Sequence, residues 1–168
     1  MRSPFDPALT QRVRQLIADK GRLSLAPEDS RFEGVCPTPE MAAVLNRVAP
    51  IAEALYLVMS ADGVCSLDER VALRGALRTI TDDDLSKPAI AALLDRFDSS
   101  FESEGLRESM SRIASQIAGD RDDARATLEL ATALVVADGE VSDDERNLLQ
   151  QLAEETGQDP DAALALLG

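Results

Sequence analysis

Histidine is absent from this chain, and so is tryptophan. Without an imidazole there is no Ser-His-Asp triad, no Cys–His nucleophile pair and no mixed Cys/His zinc site. Cysteine is scarce. Cys36 and Cys65 are too few for a disulfide framework, lack CxxC spacing, and read as small core or loop residues in a reducing compartment. Aromatics make up only 3% of the residues, with a single tyrosine. The core must therefore be Leu, Val, Ile and Ala, a composition that lets helices approach closely and favours helix over strand. Basic residues are outnumbered by 31 acidic to 17, for a formal charge of −14. Such a chain is repelled by nucleic acid and anionic lipid, and attracts cations or a basic protein partner. Long apolar runs are missing as well. The start, MRSPFDPALT, has no apolar core of signal-peptide length, and the stretch Val48 to Met59 is interrupted by Pro50 and Glu53. No nucleic-acid binding and no direct membrane insertion are expected, and the expected location is the cytoplasm.

What is present is helix punctuation. The 168 residues, 45% of them hydrophobic, suit one domain with a short extension. Asp6-Pro7 opens a helix whose apolar stripe is Leu9, Val13, Leu16 and Ile17 and which Gly21 closes; residues 22–37 read as a linker. Thr38-Pro39 opens a second helix to about Ser60, with a kink or break expected at Pro50. After the Ala61-Asp62-Gly63 turn, Ser66 and Glu69 form a capping box for a helix to about Ile80. Beyond the polar turn Thr81–Asp84, helices are expected at roughly 86–97 and 100–118. Asp120 caps the next, to about Val136. Following the Asp138-Gly139 turn, Ser142 and Glu145 form a second capping box, Gly157 ends that helix, and Asp159-Pro160 opens a short last one over 160–167. No segment shows sustained period-two alternation, so the expected class is all-α, with an N-terminal helix and linker extension at 1–37 and a helical domain at 38–168.

The chain also contains a duplication. Ala61 to Leu73 reads ADGVCSLDERVAL and Ala137 to Leu149 reads ADGEVSDDERNLL, so that Asp62 and Asp138 stand 76 positions apart. The preceding helices align at the same offset, with Glu53 falling on Glu129. Each copy is helix, acidic turn, helix. Two such hairpins bury their apolar faces only by packing on each other and on the helices between them.

The acidic turn is open to two readings. Asp138, Gly139, Val141 and Glu145 fall on positions 5, 6, 8 and 12 of an EF-hand loop, and Asp62, Gly63, Cys65 and Glu69 do likewise. Positions 1 and 3 would be Leu134 and Val136, or Val58 and Ser60, none of which carries a carboxylate. A complete EF-hand is thereby excluded and at most a partial oxygen-rich site is left. Alternatively, Ser66 and Ser142 are N-caps with Glu69 and Glu145 as capping-box partners, Asp68 and Asp144 favour the helix N-terminus through its dipole, and each glycine supplies a positive φ. The runs Asp82–Asp84 and Asp120–Asp123 read as solvated helix starts, and Arg70 and Arg146 as exposed partners of nearby carboxylates.

The two ADG-x-x-S-x-D-E-R segments, the intervening Asp95-Arg96-Phe97-Asp98-Ser99-Ser100-Phe101 and the C-terminal Gly157-Gln158-Asp159-Pro160 resemble the TerB family. The resemblance covers roughly residues 38 to 168. It implies a compact TerB-like bundle of about seven helices and a non-enzymatic role in resistance to tellurite, phage and colicins, with a membrane-bound Ter component as a partner. It also implies a divalent metal ion, carried over onto Asp62, Asp68 and Glu69 and onto Asp138, Asp144 and Glu145. A related module precedes the J-domain of DjlA co-chaperones, but a chain without histidine cannot supply the His-Pro-Asp of a J-domain. The leading functional expectation is thus a stress-response protein that binds divalent metal through its acidic turns; the alternative is a metal-independent adaptor whose acidic face docks a basic partner. An enzyme ranks last, for want of a phosphate-binding glycine loop, a histidine or a reactive cysteine context.

Overall fold

A computed structural model describes residues 5–19, 34–35, 38–165 and 167. Among these there are eight α-helices and no strand: α1 (Pro7–Asp19), α2 (Pro39–Met59), α3 (Leu67–Ile80), α4 (Lys87–Glu104), α5 (Leu106–Ile117), α6 (Arg121–Asp138), α7 (Asp143–Glu155) and α8 (Pro160–Ala165). Seven of them follow the linker, as the resemblance implies. The linker itself, apart from Gly34 and Val35, lies outside the described residues, as do Cys36 and the expected stop at Gly21.

The helix starts are those the capping residues dictate. Asp6 Oδ1 accepts from the Ala8 and Leu9 amides, and Thr38 Oγ1 accepts from the Met41 amide. Asp120 Oδ1 accepts from the amides of Asp122 and Asp123, and Asp159 Oδ1 from that of Asp161. Each bond satisfies a donor that the first helical turn leaves without an intrahelical partner.

α2 is the centre of the bundle. It packs against α3, α4, α5, α6 and α7, and against α1. By length and composition alone it would pass for a membrane span, but most of it is covered by the other helices. The helix runs unbroken through Pro50. An interior proline costs about 3 kcal/mol, which the burial of Leu45, Val48, Ile51 and Leu55 on either side offsets. Glu53 on the same helix is buried and ion-paired at 2.6 Å with Arg112 of α5, which also holds Glu104 at 2.9 Å. The pairing compensates a charge that burial alone would penalise.

The α4–α5 break falls later than expected. Ser99 and Ser100 do not interrupt α4, because Ser99 Oγ turns back to the Asp95 carbonyl inside the helix. The chain breaks instead at Gly105, whose φ of +85° a residue with a Cβ rarely adopts. α1 is part of the common core: Phe5, Val13 and Ile17 are buried, and the helix packs on α2, α3 and α6. Arg14 Nε donates to the Thr79 carbonyl at 2.8 Å, and the Arg14 guanidinium pairs with Asp82.

The duplication appears as two helix–turn–helix units, α2–α3 and α6–α7, with α4 and α5 between them in the chain. α2 and α6 lie against each other.

Candidate functional site: the duplicated acidic turns

Both turns are built from their own residues upward. Gly63 (φ +100°) and Gly139 (φ +94°) reverse the chain after α2 and α6. Both capping boxes then form. Ser66 Oγ accepts from the Glu69 amide while the Glu69 carboxylate accepts from the Ser66 amide at 2.6 Å; Ser142 and Glu145 do the same, with the reciprocal bond at 2.8 Å. Asp62 Oδ1 accepts from the Val64 amide at 3.1 Å. Asp68, Asp138 and Asp144 are exposed and make no hydrogen bond or ion pair among the described residues.

The six carboxylates expected as metal ligands therefore divide. Glu69 and Glu145 are engaged in helix starts, Asp62 in its own turn, and three face solvent. Among the described residues no three Cys, Asp or Glu side chains are gathered closely enough to hold an ion, within one turn or between the two. As they stand, the side chains do not fit a chelating site.

The two turns differ in what lies beneath them. Arg70, read from the sequence as an exposed partner, is largely buried, its side chain 19% exposed, and grips Asp98 of α4 with both terminal nitrogens at 2.8 and 2.9 Å. Tyr56 of α2 donates its hydroxyl to the same carboxylate at 2.6 Å. Three helices thus meet on Asp98. Burial works against the Asp98 carboxylate, but the hydrogen bonds from Arg70 and Tyr56 outweigh it and hold its pKa below the ordinary value. Burial, reinforced by Asp98, pushes the Tyr56 phenol up. Burial likewise raises the Cys65 thiol, so at neutral pH Cys65 is a thiol and not a thiolate nucleophile or ligand. In the second copy the positions of Tyr56 and Cys65 are taken by Thr132 and Val141, and Arg146 has no ion pair among the described residues.

The acidic runs need a matching correction. Asp123 is not a solvated helix-start residue: it pairs with Arg47 of α2. Asp82 and Asp83 do not start a helix but close α3 in the left-handed region, φ 52° and 61°, where Asp82 meets Arg14 and Asp83 meets Arg78. Nothing in the duplication announces Asp98, since it lies outside both copies; the one sequence signal for it is its place in the Asp95–Phe101 stretch.

No curated protein and no solved structure gives a significant match to this chain. The family model described as "Tellurite resistance protein TerB" matches residues 47–166, well over half of the sequence, from the third turn of α2 into the C-terminal end. That span takes in both acidic turns and the Asp98 junction between them, and this chain belongs to the TerB family.

Proposed function

We propose that the chain is a non-catalytic stress-response module of the tellurite-resistance type that works by docking a basic partner protein on its acidic surface. The family is that of tellurite resistance proteins and is not a known enzyme family. The observation that carries the docking mode is the state of the duplicated turns. Their glutamates are used in capping, while Asp68, Asp138 and Asp144 stay exposed and unbonded. On a chain of net charge −14, these carboxylates, unpaired among the described residues at the starts of α3 and α7 and the end of α6, form a field that attracts and orients a cationic surface. A membrane-bound Ter component with a basic cytoplasmic face is the partner this chemistry suits.

Divalent metal binding through Asp62, Asp68, Glu69, Asp138, Asp144 and Glu145 is the second reading. It is favoured by the three unbonded aspartates, and it requires side chains to turn toward one another. One experiment separates the two. Chelator-stripped protein is melted with Ca²⁺, Mn²⁺, Mg²⁺ or Zn²⁺, and titrated separately with a lysine-rich peptide in chelator, alongside Asp68→Asn/Asp138→Asn/Asp144→Asn. Docking is supported by peptide binding that survives chelator, weakens in high salt and falls in the triple variant. A metal at about a hundred times its dissociation constant would stabilise by about 2.7 kcal/mol. Such a shift, absent in the variant, with no peptide binding, would replace docking by metal binding.

A further inference from the structure

α3 and α4 both pack on α2 and are joined by the Arg70–Asp98 clasp, but away from it they pack little on each other. Between them lies a groove of about 610 Å³ whose apolar lining includes Val71, Pro88 and Ala91. Its rim carries Arg74, Arg78 and Lys87, and among the described residues no acidic one lines it. Arg78 shares its charge with Asp83, whereas Arg74 and Lys87 have no ion pair among the described residues. One turn before Val71, on the same face of α3, Leu67 is 73% exposed; Val71 itself is 41% exposed.

The duplication provides an internal control for this face. At the 76-residue offset the inward positions stay apolar: Ala72, Leu73, Ala76 and Leu77 correspond to Leu148, Leu149, Leu152 and Ala153. The outward positions diverge in one direction. Leu67, Val71, Arg74 and Arg78 of α3 correspond to Asp143, Asn147, Gln150 and Glu154 of α7, all exposed. The repeat thus folds without apolar or basic residues on its outer face. Their presence on α3 alone is a local addition that places exposed hydrophobic area and positive charge on an otherwise strongly acidic protein.

We propose that the α3–α4 groove is a docking site for an acidic amphipathic helix of a partner protein. The helix lays its apolar stripe along Leu67 and Val71 and over Pro88 and Ala91, and its carboxylates meet Arg74, Arg78 and Lys87. Two neighbouring helices on a common support, with a gap between them that no described residue fills, present the shape a third helix occupies. The charge complementarity selects an acidic helix over a basic one. This groove is distinct in sign from the acidic turns, the first of which it adjoins at Leu67 beside Asp68, and its proposal does not rest on their function.

The test uses a fluorescein-labelled peptide of about 20 residues, ~30 Å of helix, with leucines on one face and glutamates on the other. Controls replace the glutamates by lysines or scramble the leucines. Fluorescence anisotropy should show binding of the acidic amphipathic peptide and at least ~tenfold weaker binding of both controls, equivalent to about 1.4 kcal/mol. Val71→Asp and Arg74→Glu/Lys87→Glu should each weaken the acidic peptide by a similar factor. Gly75→Gln fills the groove from a helical position whose Cβ would meet nothing within 4 Å, so it should block binding while melting no lower than the parent protein. Equal binding or no binding of all three peptides, or unchanged binding by these variants, would overturn the proposal. So would concentration-dependent dimerisation of the parent that Val71→Asp abolishes, because a second copy would then be the occupant.

Discussion

Arg47 of α2 and Asp123 of α6 are equivalent positions in the internal duplication, 76 residues apart, and they are bonded to each other at 2.5 Å. The repeat therefore meets itself through a pair of opposite charges, set among the apolar residues of α2 and α6. Both side chains are mostly covered, 16% and 11% exposed, and Arg47 Nε has no hydrogen-bond partner among the described residues. Replacing one partner strands a charge in poorly solvated surroundings, which costs more than the pair contributes.

For that reason Asp123→Ala should destabilise the protein by about 3 kcal/mol. The double replacement Arg47→Met/Asp123→Leu should recover most of that loss. Urea denaturation of the two singles and the double gives the coupling energy, and strictly additive losses would contradict the pairing.

The Asp98 junction makes stability fall at both ends of the pH scale. Asp98 has a folded pKa below its unfolded one, so its contribution is complete above the unfolded value and is lost as pH falls through the folded one, below about pH 4. Tyr56 has a folded pKa raised above its unfolded one, so its contribution is complete below about pH 10 and is lost as pH rises beyond it. Tyr56 is the only tyrosine. Tyrosinate absorbance on alkaline titration should therefore appear together with the loss of helical circular dichroism. Ionisation of a still-folded protein near pH 10 would show that the phenol is not held by Asp98.

Arg70 and Arg146 are the same residue of the repeat in different surroundings. Arg70→Ala removes two charge-assisted bonds to Asp98 and should cost about 2 kcal/mol. Arg146→Ala should stay within about 0.5 kcal/mol of the parent. Thermal melts of the two variants side by side make the comparison, and equal losses would mean that the junction contributes nothing beyond the shared motif.

Two glycines should respond to alanine with opposite signs. Gly139 sits at φ +94° and Gly75 is helical with open space around its missing Cβ. Gly139→Ala should destabilise by about 1 kcal/mol and Gly75→Ala should stabilise by up to about 1 kcal/mol. Melting midpoints moving in the same direction would contradict the assigned backbone.

Much of the fold was legible before any coordinate. Helix starts depend on residues three positions apart, so Thr38, Ser66, Asp120 and Ser142 announce them from the sequence, and the duplication is a property of the string itself. One boundary, between α4 and α5, falls later than expected, and one expected kink or break, at Pro50, leaves its helix continuous. Pro50 does not break α2, since the covered apolar residues around it outweigh its cost. The helix expected to end near residue 97 runs on to Glu104 through Ser99, whose hydroxyl returns to its own helix.

The sequence by itself determined an all-helical, histidine-free, acidic chain with a doubled capping box, because those properties follow from composition and from contacts over three or four residues. Only the tertiary structure decided which charges are alone. Asp123, read as solvated, faces Arg47; Arg70, read as exposed, is clasped by Asp98; and Asp68, Asp138 and Asp144 have no ion pair among the described residues. The gap between α3 and α4 is likewise invisible in the string. Whether a charge is paired or a hydrophobic face is covered depends on which distant helix the fold brings against it, and no local pattern encodes that.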